Sequence, residues 1–142
     1  MLNIKNCLIL CALLLTQVAC AVEVAEIDTK RLEELIASGV TVIDVRTPRE
    51  WKQTGIVEGS LPIMFFDERR KAHPQKWMQQ ASAHINADSP IAIICRTGSR
   101  SKAVGNFLIK QHGYQNVYNV TGGITSWVAS GNKTVKPTLK ED

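Results

Sequence analysis

The chain has 142 residues, of which 44% are hydrophobic, 6% aromatic and 21% charged; these proportions fit one core-forming domain and exclude a disordered or multidomain protein. Seventeen Lys and Arg against thirteen Asp and Glu give a net charge of +4, which favours anionic partners. It falls short of the dense basic charge and aromatic stacking surface of a nucleic-acid binder.

The N-terminus reads as an export signal. Lys5 supplies the charged n-region, Cys7-Leu-Ile-Leu-Cys-Ala-Leu-Leu-Leu15 the apolar h-region, and Ala19-Cys20-Ala21 an A-x-A cleavage site. The apolar run is far shorter than the ~20 residues of a spanning helix, so no permanent membrane span is expected. Cleavage after Ala21 leaves a soluble periplasmic protein. Retention of Cys20 as a lipidated residue is the weaker route, because Gln17 stands where lipoprotein signals usually carry Leu. Of the four cysteines, Cys7, Cys11 and Cys20 fall in this segment, so the mature chain holds Cys95 alone and forms no internal disulfide.

From Asp28 to Ser38 the spacing of Leu32, Leu35 and Ile36 predicts a helix capped by Asp28 or Thr29 and stopped by Gly39. Val40 to Val45 is β-branched and almost continuously apolar, as in a parallel strand buried on both faces. Residues 64–90 are polar and charged, with Glu68-Arg-Arg-Lys71 and a helix after Pro74 that places Trp77, Met78 and Ala81 on one side. This segment reads as an excursion over the sheet or the mouth of a site. A second buried strand, Ile91 to Cys95, precedes a helix from Ser101 to Gln111 stopped by Gly113. Val117 to Val120 is a third strand, closed by Thr121-Gly-Gly123, and Ile124 to Ser130 a last helix. Strands alternating with helices argue for an α/β fold with a parallel sheet. Residues 132–142 read as a flexible tail.

Cys95-Arg-Thr-Gly-Ser-Arg-Ser101 lies where a central strand hands over to a helix, the position at which open α/β sheets bind ligands. A thiolate there faces the unpaired N–H groups and positive dipole end of the helix, with Arg96, Arg100 and Lys102 nearby, all of which lower a thiol pKa. Gly98 lets the loop curl so that successive amides point inward at an anion. Cysteine-dependent phosphatases require Cys-x5-Arg so that the arginine reaches over a whole phosphate. Here Arg100 comes one position early and Ser101 takes its place, so the shorter ring suits a smaller cargo, a single sulfur atom.

These motifs resemble those of a single-domain rhodanese, a sulfurtransferase carrying sulfur as a persulfide on its loop cysteine. The matching pieces are Val42-Ile-Asp-Val-Arg46 with Glu50-Trp51, Gly59-Ser-Leu-Pro62, the Cys95 loop, and Val117-Tyr-Asn-Val-Thr-Gly-Gly-Ile124 with Trp127. Within that family the chain resembles small exported rhodaneses of the phage-shock protein E type. Gly55-Ile-Val-Glu-Gly59 departs from the family's usual turn sequence there.

The resemblance implies a rhodanese-like α/β domain over residues 22–131, with a central, mostly parallel sheet of about five strands flanked by helices. It implies thiosulfate or a similar anionic donor, a persulfide on Cys95, and a thiophilic acceptor such as cyanide or a thiol, a protein thiol included. Amides from Arg96 through Thr97, Gly98, Ser99 and Arg100 to Ser101 would stabilise the persulfide, with Arg96 and Arg100 orienting the donor. Asp44, Arg46 and Glu50 are expected to support the site, Asp44 by accepting from loop amides and Arg46 by pairing with Glu50. No cofactor or metal is called for; His73, His84 and His112 lack metal-ligand spacing. The competing readings are a rhodanese-like binding module without turnover and, disfavoured by loop length, a phosphatase or arsenate reductase.

Overall fold

The computed structural model describes residues 21–138. The leader assigned to residues 1–21 lies outside them apart from Ala21, and so do the last four residues. Among the described residues no helix is long and apolar enough to cross a membrane.

Ten elements follow in chain order: β1 (Ala25–Ile27), α1 (Thr29–Ala37), β2 (Thr41–Asp44), α2 (Pro48–Thr54), β3 (Leu61–Pro62), α3 (Pro74–Ala81), β4 (Ile91–Ile94), α4 (Ser99–His112), β5 (Val117–Val120) and α5 (Gly123–Ala129). The strands form one sheet in the order β1-β5-β4-β2-β3, and each pairing is parallel. In β2 and β4 the side chains alternate between two cores, which is why both strands read as continuous apolar runs. Ile43, Val45, Ile91, Ile93 and Cys95 face α3 and α4, packing on Trp77, Val104 and Leu108. Val42, Ala92 and Ile94 face α1 and α5, meeting Leu32, Leu35, Ile124 and Trp127. Each fully buried large aliphatic chain contributes about 1.5–3 kcal/mol relative to exposure.

The polar segment 64–90 is more than a cover. Phe65, Trp77, Ala81 and Ile85 belong to the core on the α4 side, and Trp77 is held by a hydrogen bond from its indole N–H to the Ile63 carbonyl, 3.0 Å. Its charges lie outside this apolar stripe.

Three elements go beyond the sequence reading. α2 begins with a capping box, in which Thr47 accepts from the Glu50 amide and Glu50 from the Thr47 amide, followed by Pro48 in the first turn. β1 and β3 are strands of three and two residues at the sheet edges. The segment read as a flexible tail is pinned as far as Val135, which pairs with Ile56. Thr134 donates its hydroxyl to the Thr54 carbonyl at 2.8 Å, and Lys133 accepts from the Trp127 indole at 2.9 Å.

Candidate active site

β4 ends at Ile94, so Cys95 is the first residue past the carboxyl end of a central strand, and α4 begins four residues later. Gly98 makes the turn between them with φ of 103°. A Cβ there would sit 3.3 Å from the Gly122 nitrogen and the Val120 carbonyl oxygen, so only glycine fits the conformation and the space. The turn aims the Gly98 N–H at the Cys95 Sγ, 3.1 Å away. Ser101, on the first turn of α4, approaches the same sulfur with its hydroxyl at 3.3 Å and also bonds to the Gly98 carbonyl.

The first turn of α4 carries no acidic residue. Its N-terminal amides therefore meet Cys95 where a helix ordinarily meets a capping carboxylate. The thiol is fully buried. Burial opposes its ionisation, but the Ser101 hydroxyl and the amides of Ser101, Gly98 and Thr97 outweigh burial and hold the pKa below the ordinary thiol range.

α5 orients the loop from outside. The amides of Ile124 and Thr125 donate to the carbonyls of Cys95 and Arg96 at 2.9 and 3.2 Å, and the Thr125 hydroxyl adds a bond to the Arg96 carbonyl at 3.0 Å. With its carbonyls drawn outward, the loop turns its amides inward. Gly123 permits this approach, since a Cβ there would overlap the Cys95 carbonyl oxygen and lie 2.6 Å from the Arg96 carbonyl carbon.

The acidic and basic residues pair differently from the sequence expectation. Arg46 does not bind Glu50. It closes a buried fork on Asp44, with Nη2 2.6 Å from Oδ2 and Nε 2.9 Å from Oδ1, because both lie at the strand end with their heads enclosed at 1% and 0% exposure. Asp44 also accepts from the Arg46 amide and from the Trp51 indole, at 3.1 and 3.0 Å, so the backbone it holds is at Arg46 and not in the Cys95 loop. Arg46 in turn donates to the Gly55 carbonyl and the Thr54 hydroxyl.

Glu50 instead grips Arg100 through two bonds of 2.9 and 2.6 Å, and this pair draws the Glu50 carboxyl down to about 2 despite its partial burial. Arg100 is thereby committed to holding the loop against α2. Arg96 makes no side-chain hydrogen bond or ion pair among the described residues, and it lines a cleft of about 580 Å³ together with Arg46, Glu50, Ile124 and Thr125. Thr97 and Ser99 are exposed on the outer face of the loop.

The sequence reading missed Trp51, Ile124 and Thr125 as supports. The Thr-Gly-Gly turn ahead of Ile124 was the signal for the last two. Among the described residues no group of three or more His, Cys, Asp or Glu side chains is arranged to hold a metal ion.

A buried thiol at the end of a central strand, met by amides of the loop and helix start that follow, thus sits at the carboxyl edge of a parallel α/β sheet. Residues 28–130 match the rhodanese-like domain family, and the chain belongs to that family. It is similar to a sulfurtransferase of Allochromatium vinosum, 32% identical over 116 residues that cover 80% of this chain and 97% of the relative. It is also similar to thiosulfate sulfurtransferase 18 of Arabidopsis thaliana, 31% identical over 76% of this chain and 81% of the relative. The crystal structure of a rhodanese-related protein from Thermoplasma volcanium superposes with a TM-score of 0.61 at 31% identity, covering 80% of this chain and 99% of the other. These matches establish the family and not its exported phage-shock branch.

Proposed function

We propose that the protein is a sulfurtransferase that takes sulfane sulfur from thiosulfate or a similar anionic donor and holds it as a persulfide on Cys95. The observation that carries this reading is the Cys95 sulfur facing the Gly98 amide and the Ser101 hydroxyl at the start of an acid-free helix.

The Cys95 thiolate attacks the outer sulfur of thiosulfate. The S–S bond of the donor breaks, sulfite leaves with the electron pair, and Cys95 becomes the persulfide anion. Cyanide or a thiol then attacks the terminal sulfur; the Cys95 S–S bond breaks and the thiolate returns with its electron pair. The loop amides serve both anions, so the charge they must stabilise scarcely moves between states. Arg96, which lines the adjoining cleft, draws the anionic donor toward the loop. Export to the periplasm with cleavage after Ala21 is part of the same proposal and rests on Lys5, the apolar run and the A-x-A site.

The test is intact-mass analysis of the mature chain before and after thiosulfate. A gain of ~32 Da that cyanide removes and that Cys95→Ser never shows is the expected result. No gain on a demonstrably free thiol would leave a binding module. Arg96→Ala is expected to raise KM for thiosulfate about tenfold with kcat little changed; an unaltered KM removes Arg96 from donor binding.

A further inference from the structure

α2 separates two clefts. Glu50, Gln53 and Thr54, spaced at i, i+3 and i+4, border the one beside the Cys95 loop, while Pro48, Trp51 and Lys52, with the same spacing on the other side of the helix, border a larger one of about 1090 Å³. This second cleft runs along β3, the outer strand of the sheet, over a floor that includes Leu61, Ile63 and Met64. Its rim carries Lys52 from α2, Lys76 from α3, and Lys136 from the segment anchored by the Ile56–Val135 bridge. All three lysines are exposed, and among the described residues no carboxylate lines the cleft.

Elsewhere four cations are matched with acids, Arg31 with Glu34, Arg46 with Asp44, Arg100 with Glu50 and Lys102 with Glu26, while Lys30, Lys110 and Lys133, on other faces, are single exposed charges in no ion pair among the described residues; what distinguishes the rim lysines is that three of them converge on one cleft. None of the three rim lysines is in an ion pair among the described residues. His73, also at the rim, is already engaged by Asp67 at 2.9 Å, so the lysines carry the charge. Lysine at a sheet edge also discourages edge-to-edge pairing, but that purpose needs no concave, apolar-floored groove.

We propose that this groove docks an acidic, extended segment of a protein that exchanges sulfur at Cys95. The partner half of this proposal rests on the sulfurtransferase reading. An aliphatic floor beneath a cationic rim complements a chain alternating apolar and acidic side chains. A single-stranded nucleic acid is held by exposed aromatic faces, and Trp51, the tryptophan that lines the cleft, is buried. A flat membrane surface reaches only the rim of a concavity. One helix diameter, ~10 Å, separates the groove from the cleft at Cys95, so a thiol about four or five extended residues beyond the docked segment reaches the loop. There its thiolate attacks the persulfide, taking the outer sulfur as a new persulfide and releasing the Cys95 thiolate.

The experiment uses the mature protein and a fluorescein-labelled peptide of alternating glutamate and valine, read by anisotropy. Saturable binding is expected, weakening as salt rises and by about tenfold when Lys52, Lys76 and Lys136 are all changed to Glu. The same charge change at the exposed Lys30, Lys110 and Lys133 is expected to leave it intact. Equal losses in both triple variants would show diffuse attraction and overturn the groove. Duplex DNA or phosphatidylglycerol vesicles that bind as tightly and lose binding in the same groove variant would replace the acidic segment with a general polyanion.

The peptide is then extended by a flexible linker ending in cysteine and offered to the thiosulfate-loaded protein. Its KM as acceptor is expected to fall about tenfold below that of free cysteine. The gain should vanish in the groove variant, which retains wild-type thiosulfate–cyanide turnover. An equal KM with binding and turnover intact would overturn the sulfur-exchange role of the groove. Absence of thiosulfate–cyanide turnover in the wild type would instead sink the sulfurtransferase reading, and the anisotropy would still decide the docking.

Discussion

Ser101→Ala removes the one side-chain hydroxyl that, among the described residues, approaches the Cys95 sulfur, at 3.3 Å, and leaves the Gly98 amide bond at 3.1 Å in place. Burial raises the thiol pKa, and the Ser101 hydroxyl leads the donors that outweigh burial and lower it, so losing that hydroxyl is expected to raise it. The midpoint of the pH dependence of iodoacetamide alkylation should move upward. Persulfide formation should slow most at pH values below the new midpoint, where less of the thiol is ionised. An unmoved midpoint would assign the whole effect to the backbone. Cys95 and its loop were legible in the sequence because their chemistry is local, four consecutive positions between a strand and a helix. The partner of each arginine was not, because that depends on how α2 packs. Arg46 and Glu50 lie four residues apart, which suggests a pair, yet Arg46 is turned back onto Asp44 in the interior and Glu50 meets Arg100 across fifty positions.

At the scale of elements, the loop conformation is a product of α5. The amides of Ile124 and Thr125 hold the outward carbonyls of Cys95 and Arg96, and this contact exists because Gly123 brings the helix start against the loop backbone. Gly123→Ala, at φ of 55°, adds a strained backbone and an overlap with backbone atoms that cannot turn away. The expected loss is roughly 2 kcal/mol or more of stability, together with a drop in sulfur transfer at temperatures where the variant is still folded. Full activity with lowered stability would show that α5 supports the fold but not the amide ring. The long apolar strands and α1, α3 and α4 could be read from sequence because burial on one or both faces leaves a periodic trace. β1 and β3 are too short to leave a period, and β3 contains Pro62. α2 did leave a trace, Thr47-Pro-Arg-Glu50, which is a capping box with proline inside it; its weak apolar periodicity hid it.

Across the whole molecule, two carboxylates tie distant segments to the helix that follows the loop. Glu50 joins α2 to Arg100, and Glu26 joins β1 to Lys102 while accepting from Asn119 and Thr121 of the β5 region. Burial raises the Glu26 pKa, but its hydrogen bonds and Lys102 outweigh burial and lower it; Glu50, likewise opposed by burial, falls from 4.5 to about 2 through Arg100 and the Thr47 amide. For a carboxyl whose pKa is depressed by folding, the stabilisation is fully present above the unfolded value and is lost as pH falls through the folded one. Both groups therefore place the loss on the acid side, and for Glu50 the window runs from about 4.5 down to about 2. Glu50→Gln is expected to cost about 1 kcal/mol near neutrality, since the pair with Arg100 is only partly shielded from solvent. The gap between wild type and variant should close as pH falls through that window, because the protonated Glu50 of the wild type then resembles the glutamine. Urea unfolding midpoints at a series of pH values read this directly. A gap that stays constant down to pH about 2 would mean that Glu50 acts by packing and the Thr47 cap, and that its charge on Arg100 does not hold the loop to α2.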